Sequence, residues 1–241
     1  MLYDERRVRL RSDRDWPEYR RWALQELWPA LEAAGHKPVC VLNGLIGKGV
    51  QDVLLIVGFG DLDARQAAQP LFAGKAALVV TDDDAQLLLS SPYTEDRSAA
   101  IAGHRRAIYG VRRWWIEPTR WDEFVQLSHD GIWPAMDWMG HFVLGMFCHA
   151  ADSSTGRLEC VNLAGYDDAV MWQATRNPAA HGVPADLLDA LETKGRARNA
   201  MVLESFVCLM TAHWPDDADP SSRPADIMET RGAAGASSSR L

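Results

Sequence analysis

The chain has 241 residues, 47% of them hydrophobic and 24% charged, the balance of an ordinary globular protein rather than a fibrous or disordered one. Its 25 Lys and Arg against 33 Asp and Glu leave a net charge of −8, which argues against coating nucleic acid or an anionic membrane surface. The charged N-terminus lacks the apolar run of a signal peptide, no stretch is long and apolar enough to span a bilayer, and four separated cysteines read as reduced thiols, so a cytoplasmic protein is expected.

In chain order, residues 3–10 read as a strand, 16–34 as a helix, and 39–45 and 53–59 as strands. Between those two strands Gly44, Gly47 and Gly49 make a hairpin turn; no helix follows to support a phosphate-binding loop. Residues 62–72 read as a helix, Asp82, Asp83 and Asp84 as a solvated acidic turn, and 87–89 as a strand. The second series opens with the β-formers of 108–116, and Thr119 with Asp122 resembles a capping box before a helix. Pro134 should kink that helix and Gly140 should end it. Strands follow at 142–148 and 158–164 across a turn at 152–156, then short helices at 167–175 and 185–191 and a strand at 206–211.

One pattern occurs twice. Trp121, Trp133, Pro134 and His141 each stand 105 positions after Trp16, Trp28, Pro29 and His36. Tryptophan is rare, so the recurrence marks a duplicated unit. Each unit has the order βαββαβ, which forms a ferredoxin-like sheet with both helices on one face. The expected fold is α+β: two tandem ferredoxin-like repeats, 1–104 and 105–215, whose uncovered faces meet in a pseudo-two-fold α/β barrel. The Ser-, Gly- and Ala-rich segment 216–241 should be a disordered tail.

The run Tyr109-Gly-Val-Arg-Arg-Trp-Trp-Ile-Glu-Pro, with Trp121-Asp-Glu-Phe, Ile132-Trp-Pro, Gly140, Gly145 and Tyr166-Asp-Asp, resembles the NIPSNAP family of the dimeric α/β-barrel (ferredoxin-like) superfamily. The first unit resembles it through Trp16, Trp28-Pro29 and Gly35. The resemblance implies a ligand cavity in a superfamily that includes cofactor-independent monooxygenases, isomerases and haem-binding enzymes. It also implies a rival reading, a non-catalytic binding or scaffolding protein. A cavity of hundreds of Å³ with convergent polar groups would favour the enzyme.

No dinucleotide or Walker fingerprint, nucleophile elbow or zincin motif is present, so neither a cofactor nor a metal is expected, with haem as a lesser possibility. The expected activity is oxygenation, isomerisation or rearrangement of an apolar or aromatic metabolite. Homo-oligomerisation is compatible with the fold. Tyr109, Val111, Arg113 and Trp115 alternate onto one strand face, matched by Tyr3, Glu5, Arg7 and Arg9 in the first unit. There Arg113 would hold an anionic oxygen and Tyr109 would orient it. An internal salt bridge, for example to Glu159 or Glu204, explains the same arginine without a ligand. His149 has no histidine counterpart in the first unit and would transfer a proton if the strand end curls back; otherwise it is an exposed strand-end residue. Gly145 would leave space for substrate and Trp115 would form the wall. His36 and His141 read as packing or capping residues. Trp114, Trp115, Trp138 and Trp172 are absent from the first unit and would make the second half's cavity aromatic and apolar.

Overall fold

The computed structural model describes residues 1–74, 79–94, 97, 101, 104–150 and 156–216. The expected tail beyond Asp216 and most of the 152–156 turn lie outside the described residues. The first half runs β1 (Leu2–Leu10), α1 (Trp16–Trp22), α2 (Trp28–Ala33), β2 (Lys37–Ile46), β3 (Asp52–Phe59), α3 (Leu62–Phe72) and β4 (Val80–Ser90). The second runs β5 (Ile108–Ile116), α4 (Trp121–Leu127), α5 (Trp133–Trp138), β6 (Phe142–His149), β7 (Leu158–Tyr166), α6 (Ala169–Ala174), α7 (Ala185–Asn199) and β8 (Glu204–His213).

The eight strands close into an antiparallel barrel in the order β1-β3-β2-β8-β5-β7-β6-β4. Closure leaves no strand edge unpaired, and alternate side chains point into the lumen or outward beneath the helices. On β5 the alternation separates two cores. Tyr109 and Val111 join Tyr3, Phe147 and Val161 in one cluster, whereas Trp114 and Ile116 join Phe124, Trp133 and Cys160 in the other. β1 and β5 stand half-way round the barrel from each other, so their inward side chains meet across the lumen.

Both long helices open into a π turn just before their Trp-Pro pair, over Ala23–Leu27 and Ser128–Ile132. Proline offers no N–H to the helical ladder and its ring crowds the carbonyl four residues back. The widened turn relieves that crowding: the Trp28 N–H reaches the Ala23 carbonyl and the Trp133 N–H the Ser128 carbonyl. Gly35 and Gly140 end the helices with φ of 80° and 83°, the left-handed conformation that suits glycine.

Three local expectations are corrected. β4 begins at Val80, and the Asp82–Asp84 run belongs to this strand. It lies in register with a basic strand, Arg9 opposite Asp82 and Arg7 opposite Asp84, while Asp83 accepts from Arg6 at 2.7 Å. Opposite charges across strands hold a segment that looks like a loop when read alone. Thr119 caps nothing, because a 3-10 turn over Pro118–Arg120 precedes α4. The helix expected at 185–191 continues to Asn199, and its last turns carry a residue of the site below.

Candidate functional site

Two cavities adjoin β5, one on each face. The first lies beside a charged cluster in the lumen. β1 delivers Glu5 and Arg7, β5 Arg113, β6 His149 and β7 Glu159. Glu5 is fully buried. It accepts hydrogen bonds from Arg113 and from Arg7, the latter at 2.9 Å. Glu159 accepts from Arg113 at 2.6 Å and from Arg7 at 2.9 Å. His149 Nε2 stands 2.9 Å from Glu5 Oε2 and 3.0 Å from an Arg7 nitrogen. An ionised carboxylate only accepts, so Nε2–H donates to Glu5 and Arg7 relies on the two glutamates.

Burial works to raise the Glu5 carboxyl, but hydrogen bonds from His149 and Arg113 and the charges of Arg113 and Arg7 outweigh it. The group is held well below the ordinary carboxylate range. Burial works to lower the Arg113 guanidinium, and Glu5 with Glu159 reverses it to a net rise. Two arginines face two glutamates, so the cluster is balanced. Beside it lies a cavity of about 470 Å³ lined by Arg7, Arg113, Trp115, Glu159, Phe206 and Met210 among others.

The structure thus brings Arg113 and His149 together through Glu5, with Trp115 on the adjoining wall. The alternative partner Glu159 is present, while Glu204 pairs with Arg157 at 3.3 Å instead. Tyr109 stands apart: four residues of strand place it about 13 Å from Arg113, buried edge-on against Trp214 at 6.2 Å between ring centroids. Gly145 sits at a register shift in β6, where a Cβ would come 2.6 Å from Thr94 Cγ2. The missing side chain there admits Thr94, whose hydroxyl donates to the Met146 carbonyl at 2.9 Å. His141 is buried with its ring 5.0 Å from that of Tyr166.

The second cavity, about 570 Å³, lies on the outer face of the second half between the sheet and α5 to α7. Trp114, Trp133, Trp172, Met136, Met139 and Val143 supply apolar walls. Arg112, Arg176 and Arg198 also line it, and no carboxylate among the described residues pairs with them. Arg198, on the last turn of α7, is only 6% exposed. It donates to Asn199 Oδ1 at 2.9 and 3.3 Å and lies 4.9 Å from the Trp114 ring and 5.5 Å from Phe124. Burial and the like charge of Arg112 pull its guanidinium down to about 10, still charged at neutral pH. Burial lowers Arg112 as well. The lone lining carboxylate, Glu192, accepts from Arg196 at 2.6 Å.

Sequence reasoning placed aromatic residues here through Trp114 and Trp172 but missed the arginines. Arg112 has the opposite strand parity to Arg113, a usable signal. Arg198 lies beyond the end expected for its helix, so nothing in the sequence linked it to β5.

No protein-family model matches the chain, and no curated protein matches it by sequence. Solved structures share the fold. A monooxygenase-like protein from Lactobacillus acidophilus matches with TM-score 0.58 and 10% identity over 88% of this chain and 93% of its own. An anthrone oxidase-like protein matches with TM-score 0.52 and 11% identity over 88% and 91%. Chlorite dismutase from Candidatus Nitrospira defluvii matches with TM-score 0.55 and 13% identity over 90% and 92%. At these identities the likeness establishes the eight-stranded barrel fold.

The expectation of no cofactor is corrected by the same comparison. The chlorite dismutases are haem proteins on this fold, so the fold gives no ground for cofactor independence. The side chains lining the larger cavity nevertheless do not fit a haem: no imidazole or thiolate is among them. Burial pushes the Tyr166 phenol up to about 12. No group of three or more His, Cys, Asp or Glu among the described residues is placed to hold a metal. No helix of the described residues is long and apolar enough to cross a membrane.

Proposed function

We propose that the protein is an oxygenase-like enzyme that takes an aromatic small molecule into the cavity between the second-half sheet and its helices. The observation that carries this reading is that cavity, about 570 Å³ with three tryptophans and convergent polar groups, the size and make-up of a small-molecule site. A scaffolding protein would need no such space. The monooxygenase-like neighbours supply the reaction class by analogy of fold.

The test is oxygen uptake by the full chain with anthrone as probe, beside a Gly195→Leu variant. Gly195 lines the cavity, and a Cβ there meets only Ile132 Cδ1 at 3.8 Å, so the longer side chain fills the site without disrupting α7. Uptake above buffer that Gly195→Leu abolishes is expected; uptake equal in both proteins contradicts this placement.

A second reading puts the chemistry in the lumen, with Arg113 holding an anionic oxygen, His149 transferring a proton and Trp115 as wall. The 470 Å³ cavity beside them favours it. The balanced charges of the cluster favour a structural role instead. Loss of turnover in His149→Ala with unchanged melting would select the lumen.

The same proposal treats the chain as two ferredoxin-like repeats, 1–104 and 105–215, of NIPSNAP type. The strand order β4-β1-β3-β2 recurring as β8-β5-β7-β6 supports the repeats. Overlay of an experimental structure's halves should superpose Trp16 on Trp121. A cytoplasmic setting is supported by four buried free cysteines.

A further inference from the structure

We propose that the sheet–helix cavity selects an aromatic organic anion and that Arg112 and Arg198 together form its anion seat. This rests on reading that cavity as the ligand site and goes on to name the ligand's chemistry.

Four guanidinium groups line the cavity; Arg196 pairs with Glu192, and Arg112, Arg176 and Arg198 have no carboxylate partner among the described residues. Burying a cation without a counter-charge is strongly unfavourable, which is why buried arginines are ordinarily paired. The lumen of this same protein obeys that rule, with Arg7 and Arg113 sharing Glu5 and Glu159. The outer cavity departs from it: Arg198 is buried and Arg112 half-buried with no carboxylate partner among the described residues, while Arg176 is exposed at the rim. Among the described residues Arg198 is met by the neutral amide oxygen of Asn199 and by ring faces, and Arg112 stands 5.8 Å from the ring of the same Trp114. Trp114 therefore fixes both guanidinium groups on one wall without neutralising either.

The missing partner is an anion that enters from solution. A guanidinium fork matches a carboxylate through two parallel hydrogen bonds. The body attached to that carboxylate meets Trp133, Trp172, Met136 and Met139, surfaces that favour a flat aromatic ring. The ligand class is therefore an aromatic carboxylate, or a ring whose ionised oxygen takes the carboxylate's place.

Calorimetric titration of the full chain with naphthoate and with naphthamide tests this, because the two differ chiefly in charge. Naphthoate should bind about tenfold or more tightly than naphthamide. Arg112→Gln and Arg198→Gln should each weaken naphthoate about tenfold while leaving naphthamide within about twofold. Where a variant fails to fold, Arg112→Lys keeps the charge without the fork and should lose a smaller part of the preference. Equal binding of the two probes, binding of neither, or a naphthoate preference untouched in folded arginine variants would overturn the inference. Naphthoate binding without oxygen uptake on any ring substrate would leave the anion seat standing and remove the oxygenase reading.

Discussion

The two faces of β5 handle buried positive charge in opposite ways. Arg113 points into the lumen and is closed by Glu5 and Glu159. Arg112, one residue earlier, points under the helices toward Arg198 and finds aromatic rings and an amide. A pair that satisfies itself holds a barrel together, whereas a pair left unbalanced is fitted to hold something else. Sequence adjacency says nothing of this difference, since it comes from which strands and helices each face meets.

The contrast is broken most severely at its fully buried carboxylate. Glu5→Ala leaves Arg113 and Arg7 to share Glu159 alone and removes the His149 acceptor, so chemical denaturation should show a loss of about 3–5 kcal/mol. Arg113→Met leaves Glu5 with Arg7 and His149 as partners and should cost less, about 3 kcal/mol in the same measurement. The pH dependence follows from Glu5. Its folded pKa lies below its unfolded value, so its contribution is complete above the ordinary Glu pKa of about 4.3 and is lost as pH falls through the range beneath it. Melting curves should therefore decline more steeply below about pH 4.3 in the native chain than in Glu5→Gln. The smallest effect belongs to features the two halves share: Gly35→Ala and Gly140→Ala should each cost about 1 kcal/mol, equally, because each puts a Cβ on a left-handed residue.

Much of the barrel was legible because it is written locally. The alternation of 108–116, the Trp-Pro pairs and the glycines after each helix each report on a few neighbouring residues. β4 was legible only in part, because Asp82–Asp84 are strand residues only in company with the arginines of β1. In the lumen cluster, parity puts Arg113 and Trp115 on one strand face, and the asymmetry of the repeat singles out His149. That Tyr109 stands apart from them follows from strand length, and that Gly145 accommodates Thr94 follows from a segment 51 positions earlier, which no local pattern announces. Arg198 was out of reach for the same reason: its meaning depends on Trp114 and Arg112 from another element.

The most direct test of the contrast is the melting temperature of Arg198→Met beside the native chain, each with and without naphthoate. Replacing an unpaired buried cation by an apolar side chain removes an unfavourable charge, so the variant should melt at least as high as the native chain without ligand. Ligand bound to the native state raises stability by mass action, and that rise should appear in the native chain and largely vanish in the variant. A variant that melts lower without ligand yet keeps the full naphthoate-induced rise would contradict the account.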